Sequence, residues 1–88
     1  KKMEVKANLI KLHDEWIIAQ VEPIEGSDSL PGDPDVWMIE PYVVDYDGKL
    51  NPWAEHSSER EFNVRSSDLT VVTNPSKALL ARYLECIE

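Results

Sequence analysis

The chain has 88 residues, 42% hydrophobic and 30% charged, with a formal net charge of −8. That length holds one domain with a small core, and the composition is too apolar for a disordered chain. The negative total excludes a long-range basic field for nucleic acid, no run approaches the ~18 apolar residues of a membrane span, and the single cysteine, Cys86, excludes an internal disulfide and fits a reducing compartment.

The first twelve residues carry basic side chains but no apolar run, so no secretory leader is expected. Residues 5–12 alternate imperfectly and predict a first strand. Trp16-Ile17-Ile18-Ala19-Gln20-Val21 is rich in aromatic and β-branched residues and predicts a second. His13-Asp14 lies between them and predicts a tight hairpin, with one of the two at positive φ. Segment 25–35 collects Gly, Pro, Ser and Asp and reads as an acidic loop.

Val36 to Val44 predicts a third strand, in which Pro41 must sit at a bulge, a bend or an unpaired edge. Segment 45–59 reads as a second long acidic loop, with Asp47-Gly48 as a turn. Glu61 to Arg65 and Leu69 to Thr73 predict a fourth and a fifth strand, joined by Ser66-Ser67-Asp68. A helix over 75–87 closes the chain, capped by Asn74 or Ser76, with Pro75 in its first turn. Leu79, Leu80, Tyr83, Leu84 and Ile87 fall on one of its faces.

Five short strands and one helix, without a βαβ unit, predict a mostly β chain: a small closed barrel forming a single domain over 1–88. Its expected core includes Leu9, Ile18, Ile39, Val64 and Val71.

Little in the chain points to catalysis. Asp28, Asp33 and Asp35 share a loop but lack EF-hand spacing, and one Cys with two distant His matches no zinc pattern. No metal or other cofactor is expected. Cys86 reads as a buried or half-buried helix thiol, no Ser stands in a nucleophile-elbow pattern, and no Gly-rich loop precedes a helix. An enzyme is therefore not expected. Trp16 and Trp37 lie in strands and suit a core or a subunit interface, whereas Trp53 follows Asn51-Pro52 in a loop and suits an exposed or interface position.

The charge is unevenly spread: +3 over residues 1–12, −11 over 13–61 and zero over 62–88. The acidic middle is either a solvated face or a surface for a basic partner. Any nucleic-acid site must be local, or repeated by symmetry.

Residues 8–21, with an apolar strand, a tight turn and a second strand, resemble the first Sm motif. Phe62-Asn63-Val64-Arg65-Ser66-Ser67-Asp68-Leu69-Thr70-Val71-Val72 resembles the second, a short strand, an Arg-Gly-type turn and a final strand. The chain is thus similar to the Sm-like (LSm) family, and closest to its small phage-encoded members. The resemblance covers about residues 5–73 by element order. The chain departs from the family in Ala19 for a frequent Gly, in Arg65-Ser66 for Arg-Gly, and in its helix being C-terminal. The family's Asp-x-x-Met-Asn base-binding segment is missing.

The resemblance implies a strongly bent five-stranded Sm-like barrel that assembles with itself, through its fourth and fifth strands, into a ring of roughly five to seven subunits. It also implies a viral source, the host cytoplasm, and single-stranded RNA as partner, with no membrane. Arg65, Ser66, Ser67 and Asp68 are the implied RNA-binding residues; Phe62, Val64, Leu69 and Val71 are the implied interface. Arg65 reads equally as a surface or intersubunit ion pair. A ring that serves as a protein-interaction or structural module, without nucleic acid, stands as the alternative.

Overall fold

The computed structural model describes residues 6–24 and 33–87. The expected start of the first strand at Val5, the basic Lys1 and Lys2, and most of loop 25–35 lie outside these residues.

The described chain is an antiparallel sheet with one C-terminal helix. The strands are β1 (Asn8–Leu12), β2 (Glu15–Pro23), β3 (Val36–Val44), β4 (Leu50–Pro52), β5 (Glu61–Val64) and β6 (Leu69–Thr73). A one-turn 3-10 helix, Ser66–Asp68, joins β5 to β6, and α1 spans Lys77–Ile87. The order across the sheet is β4-β3-β2-β1-β6, with β5 also on β3.

β1 and β2 form a hairpin closed by the Leu12–Glu15 pair. His13 takes the left-handed conformation, with φ of 57°, so the turn forms without a glycine. Ile17, Ile18 and Ala19 are consecutive and all fully buried. That is possible because β2 is covered on both faces. Ile17 and Ala19 join Ile10, Leu12 and Met38 inside the curled sheet. Ile18 faces Tyr83 and Ala7 under the helix.

β3 carries one residue more than β2 between Ile39 and Tyr42, since Ile18 pairs with Tyr42 and Gln20 with Ile39. Glu40, in the bulge, has φ of 54°. Pro41 stands beside it, where the ladder asks for no donor. The bend divides the outer edge of β3. Its first half pairs with β5, and its second half pairs with β4. Inside the sheet, Val64 of β5 and Leu69 of β6 pack on the same cluster. These strands lie at opposite edges, so the sheet curls on itself. Among the described residues no ladder joins β5 to β6; the 3-10 turn connects them along the chain.

The helix is capped by Ser76, whose Oγ accepts from the Leu79 N–H at 3.2 Å. It starts two residues later than expected, leaving Pro75 ahead of the cap. Leu79, Leu80 and Ile87 pack around Tyr83, which meets Tyr42 edge to face at 5.9 Å. The Tyr83 hydroxyl donates to the Glu40 carbonyl at 2.9 Å, with the Ile39 carbonyl at 3.3 Å. It accepts from Gln20 Nε2 at 3.5 Å.

Several expectations are corrected. The described residues form six strands, because β4 lies within the segment read as loop 45–59; three residues ending in proline show no periodicity. Val71, expected in the core, is 38% exposed. It sits on edge strand β6 across from Lys11, which pairs in turn with Trp16. Of the two positions expected for Trp16, core or subunit interface, it does not occupy the core: it is 38% exposed, with Lys11 Nζ 5.6 Å from its ring centroid. Leu9 and Ile39 are only half-buried, whereas Val64, also half-buried, packs against the core as expected. Cys86 is exposed, because it lies at the flank of the helix stripe.

Removing the Tyr83 hydroxyl leaves the bulge carbonyls without a donor in a buried site. Tyr83→Phe should therefore cost about 1–3 kcal/mol in urea unfolding, and a loss below about 0.3 kcal/mol would contradict the role given to it. Burial pushes the Tyr83 pKa from 10.0 up to about 12. The unfolded chain loses this proton first, so the stabilisation is complete below pH 10 and disappears as pH rises towards 12. Alkaline unfolding in that window should be blunted in Tyr83→Phe.

Candidate functional site

The 3-10 turn that carries Arg65, Ser66, Ser67 and Asp68 is fixed from outside itself. Asp35, just ahead of β3, accepts from the Ser66 N–H and from the Ser66 hydroxyl, both at 2.7 Å. The Asp35 N–H donates to the Val64 carbonyl at 3.1 Å. Asp35 thus joins the start of β3 to the end of β5 and the head of the turn. The Ser66 N–H, then its hydroxyl, hold the Asp35 carboxyl below the usual carboxylate range.

Arg65 Nε donates to Asp68 Oδ2 at 3.0 Å, an exposed i,i+3 ion pair. Such a pair adds little stability. It does set the guanidinium over the turn, and the two terminal nitrogens have no partner among the described residues. Ser67 is exposed. The four residues expected to act together therefore do lie together, but Ser66 is engaged by Asp35 and Arg65 is balanced by Asp68.

Beside the turn is an open cleft of about 440 Å³. Leu12, Pro34, Trp53 and Val64 form its apolar part. His13, Asn63, Arg65 and Asp68 supply its polar groups. His13 is there because the β1–β2 hairpin ends at this side of the sheet. Trp53 is set by its N–H, which donates to the Pro41 carbonyl at 3.1 Å, and by edge-to-face packing on Phe62 at 5.3 Å. Trp53, expected at an exposed or interface position, is half-buried and lines this cleft. His13 and Asn63 carried no signal in the sequence, since the strands that bring them here are distant along the chain.

The expected interface residues divide. Val64 and Leu69 turn their side chains to the core, and Phe62 packs on Trp53. Val71 projects outwards, and its neighbour Val72 is 54% exposed. Among the described residues, no three His, Cys, Asp or Glu side chains gather as a metal site would require. No helix among them is long and apolar enough to cross a membrane.

Asp35→Asn and Ser66→Ala should each loosen the 3-10 turn while leaving the core intact. Amide exchange should rise at Ser66 to Asp68 and stay unchanged at Ile17 to Ala19. Since the folded carboxyl titrates below its ordinary value, the clamp holds above about pH 4 and weakens as pH falls. Unchanged exchange at the turn in both variants would contradict the clamp.

Among curated proteins, none matches the chain. The pattern of a family of unknown function (DUF6561) spans residues 3–88, so the protein belongs to that family.

Proposed function

We propose that the protein is an Sm-like subunit that assembles with copies of itself into a ring of roughly five to seven members and binds single-stranded RNA at the Arg65–Asp68 turn. The supporting observation is the pair of sheet edges. β5 and β6 are the last strands on opposite sides of one curled sheet, and neither has a partner on its outer side among the described strands. Free edges of this kind pair readily with another chain. A β5 edge meeting the β6 edge of a neighbour is a head-to-tail contact, which closes into a ring when the rotation fits. Exposed Val71 and Val72 give the β6 edge apolar contacts to bury.

Ring symmetry would also repeat Arg65. In one chain of net charge −8 a single guanidinium is a weak RNA site. Repeated around a pore, it becomes a circle of planar donors suited to bases and phosphates.

A second reading is favoured by the Arg65–Asp68 pair itself. Asp68 offsets the positive charge of Arg65 at the turn, as a ring used for protein interaction or structure would permit. The readings separate in a salt series. With labelled oligouridylate and oligoadenylate, the RNA reading expects binding at low salt that weakens steeply as salt rises, and about tenfold weaker binding for Arg65→Gln. No binding of either oligonucleotide at low salt would leave the structural reading.

A further inference from the structure

We infer that the cleft beside the 3-10 turn binds a single nucleotide, with the base on its apolar part at Trp53 and the phosphate on Arg65 and His13. This deepens the reading of the turn as an RNA site, but it does not depend on the ring.

The size comes first. A cleft of about 440 Å³ lies within the ~300–1,000 Å³ of small-molecule sites. It is too open to serve as a packing defect, and its walls come from four separate parts of the fold: the β1–β2 turn, the approach to β3, the residue after β4, and β5 with its turn. Such convergence puts polar groups around an apolar floor.

The chemistry of the walls then narrows the ligand. Leu12, Pro34 and Val64 offer a dry surface, and Trp53 adds the one aromatic ring. A flat heterocycle gains on such a surface through stacking and burial. The rim offers N–H donors: the terminal nitrogens of Arg65, which lack partners among the described residues, and the His13 imidazole. Asn63 adds an amide, which carries both a donor and an acceptor and suits the edge of a base. Asp68 faces the same space and opposes a bare anion. So does the net charge of −8. Phosphate alone is therefore a poor ligand. A phosphate joined to an apolar ring satisfies both halves of the cleft. The one nucleotide comes either free or as a residue of a strand.

The test titrates the intact protein with adenosine and uridine 5′-monophosphates, with hexaadenylate and hexauridylate, and with inorganic phosphate, reading tryptophan fluorescence and calorimetric heat. Saturable binding of at least one monophosphate, with no binding of inorganic phosphate, is expected. Trp53→Leu should abolish the fluorescence change although Trp16 and Trp37 remain. Arg65→Gln should weaken binding about tenfold. His13→Asn keeps a residue that tolerates the positive φ, so it tests the imidazole without disturbing the hairpin, and severalfold weaker binding is expected.

A signal or heat unchanged in both Trp53→Leu and His13→Asn overturns the inference. So does binding of the hexanucleotides without either monophosphate, which would leave the RNA reading standing. Binding of monophosphates without the hexanucleotides would uphold the cleft and remove the RNA reading. Binding of neither class removes both.

Discussion

The bulge in β3 governs this fold, and one buried hydroxyl completes it. A residue with a Cβ at φ of 54°, next to a proline, is a costly arrangement in the middle of a nine-residue strand. The bulge turns the Glu40 carbonyl out of the ladder and into a space the helix covers. Tyr83, with no exposed surface, supplies the donor there at 2.9 Å. Without it, a buried carbonyl would be unpaired, which costs more than the hydrogen bond itself adds. The helix is thus the group that makes the bend tolerable, and its apolar stripe is held in register by the same contact.

The bend has consequences at the other side of the sheet. Because β3 changes direction at Glu40, its outer edge serves two short strands, β4 and β5. The released backbone groups are used by the segment between them: the Glu40 N–H donates to the Arg60 carbonyl at 2.7 Å, and the Pro41 carbonyl accepts from Trp53. Trp53 is thereby placed against Phe62 and beside the 3-10 turn. The curl brings β5 near β6, and Asp35 fastens their connection. The cleft is the space left where these pieces meet the β1–β2 hairpin.

Much of this was legible in the residues. The bounds of β3 follow from its aromatic and β-branched run, and the hairpin at His13-Asp14 follows from polarity between two apolar runs. Pro41, which lacks a donor, pointed to a bulge, a bend or an unpaired edge, and the bulge is what forms. What was not legible is non-local. Nothing about Glu40 marks a left-handed residue, and the hydroxyl that meets its carbonyl belongs to Tyr83, 43 residues away. Asp35 and Ser66 are 31 residues apart, so their clamp leaves no local pattern. Val71 has the composition of a core residue, but β6 is an edge, and the face it presents pairs with Lys11 and Trp16. Of the candidate site, Arg65, Ser66, Ser67 and Asp68 were legible as one turn. Their engagement with Asp35 and with each other was not, nor was the cleft that His13 and Trp53 complete.

The proposed ring requires the two outer edges, β5 and β6, to be surfaces for further copies of the chain. Native mass spectrometry at micromolar concentration tests it most directly, on the protein and on Val72→Lys, which places a charge at the exposed β6 edge without touching the core. One closed species of roughly five to seven subunits is expected for the protein, and its collapse towards monomer in the variant. A folded protein that stays monomeric would contradict it, as would an assembly that Val72→Lys leaves unchanged.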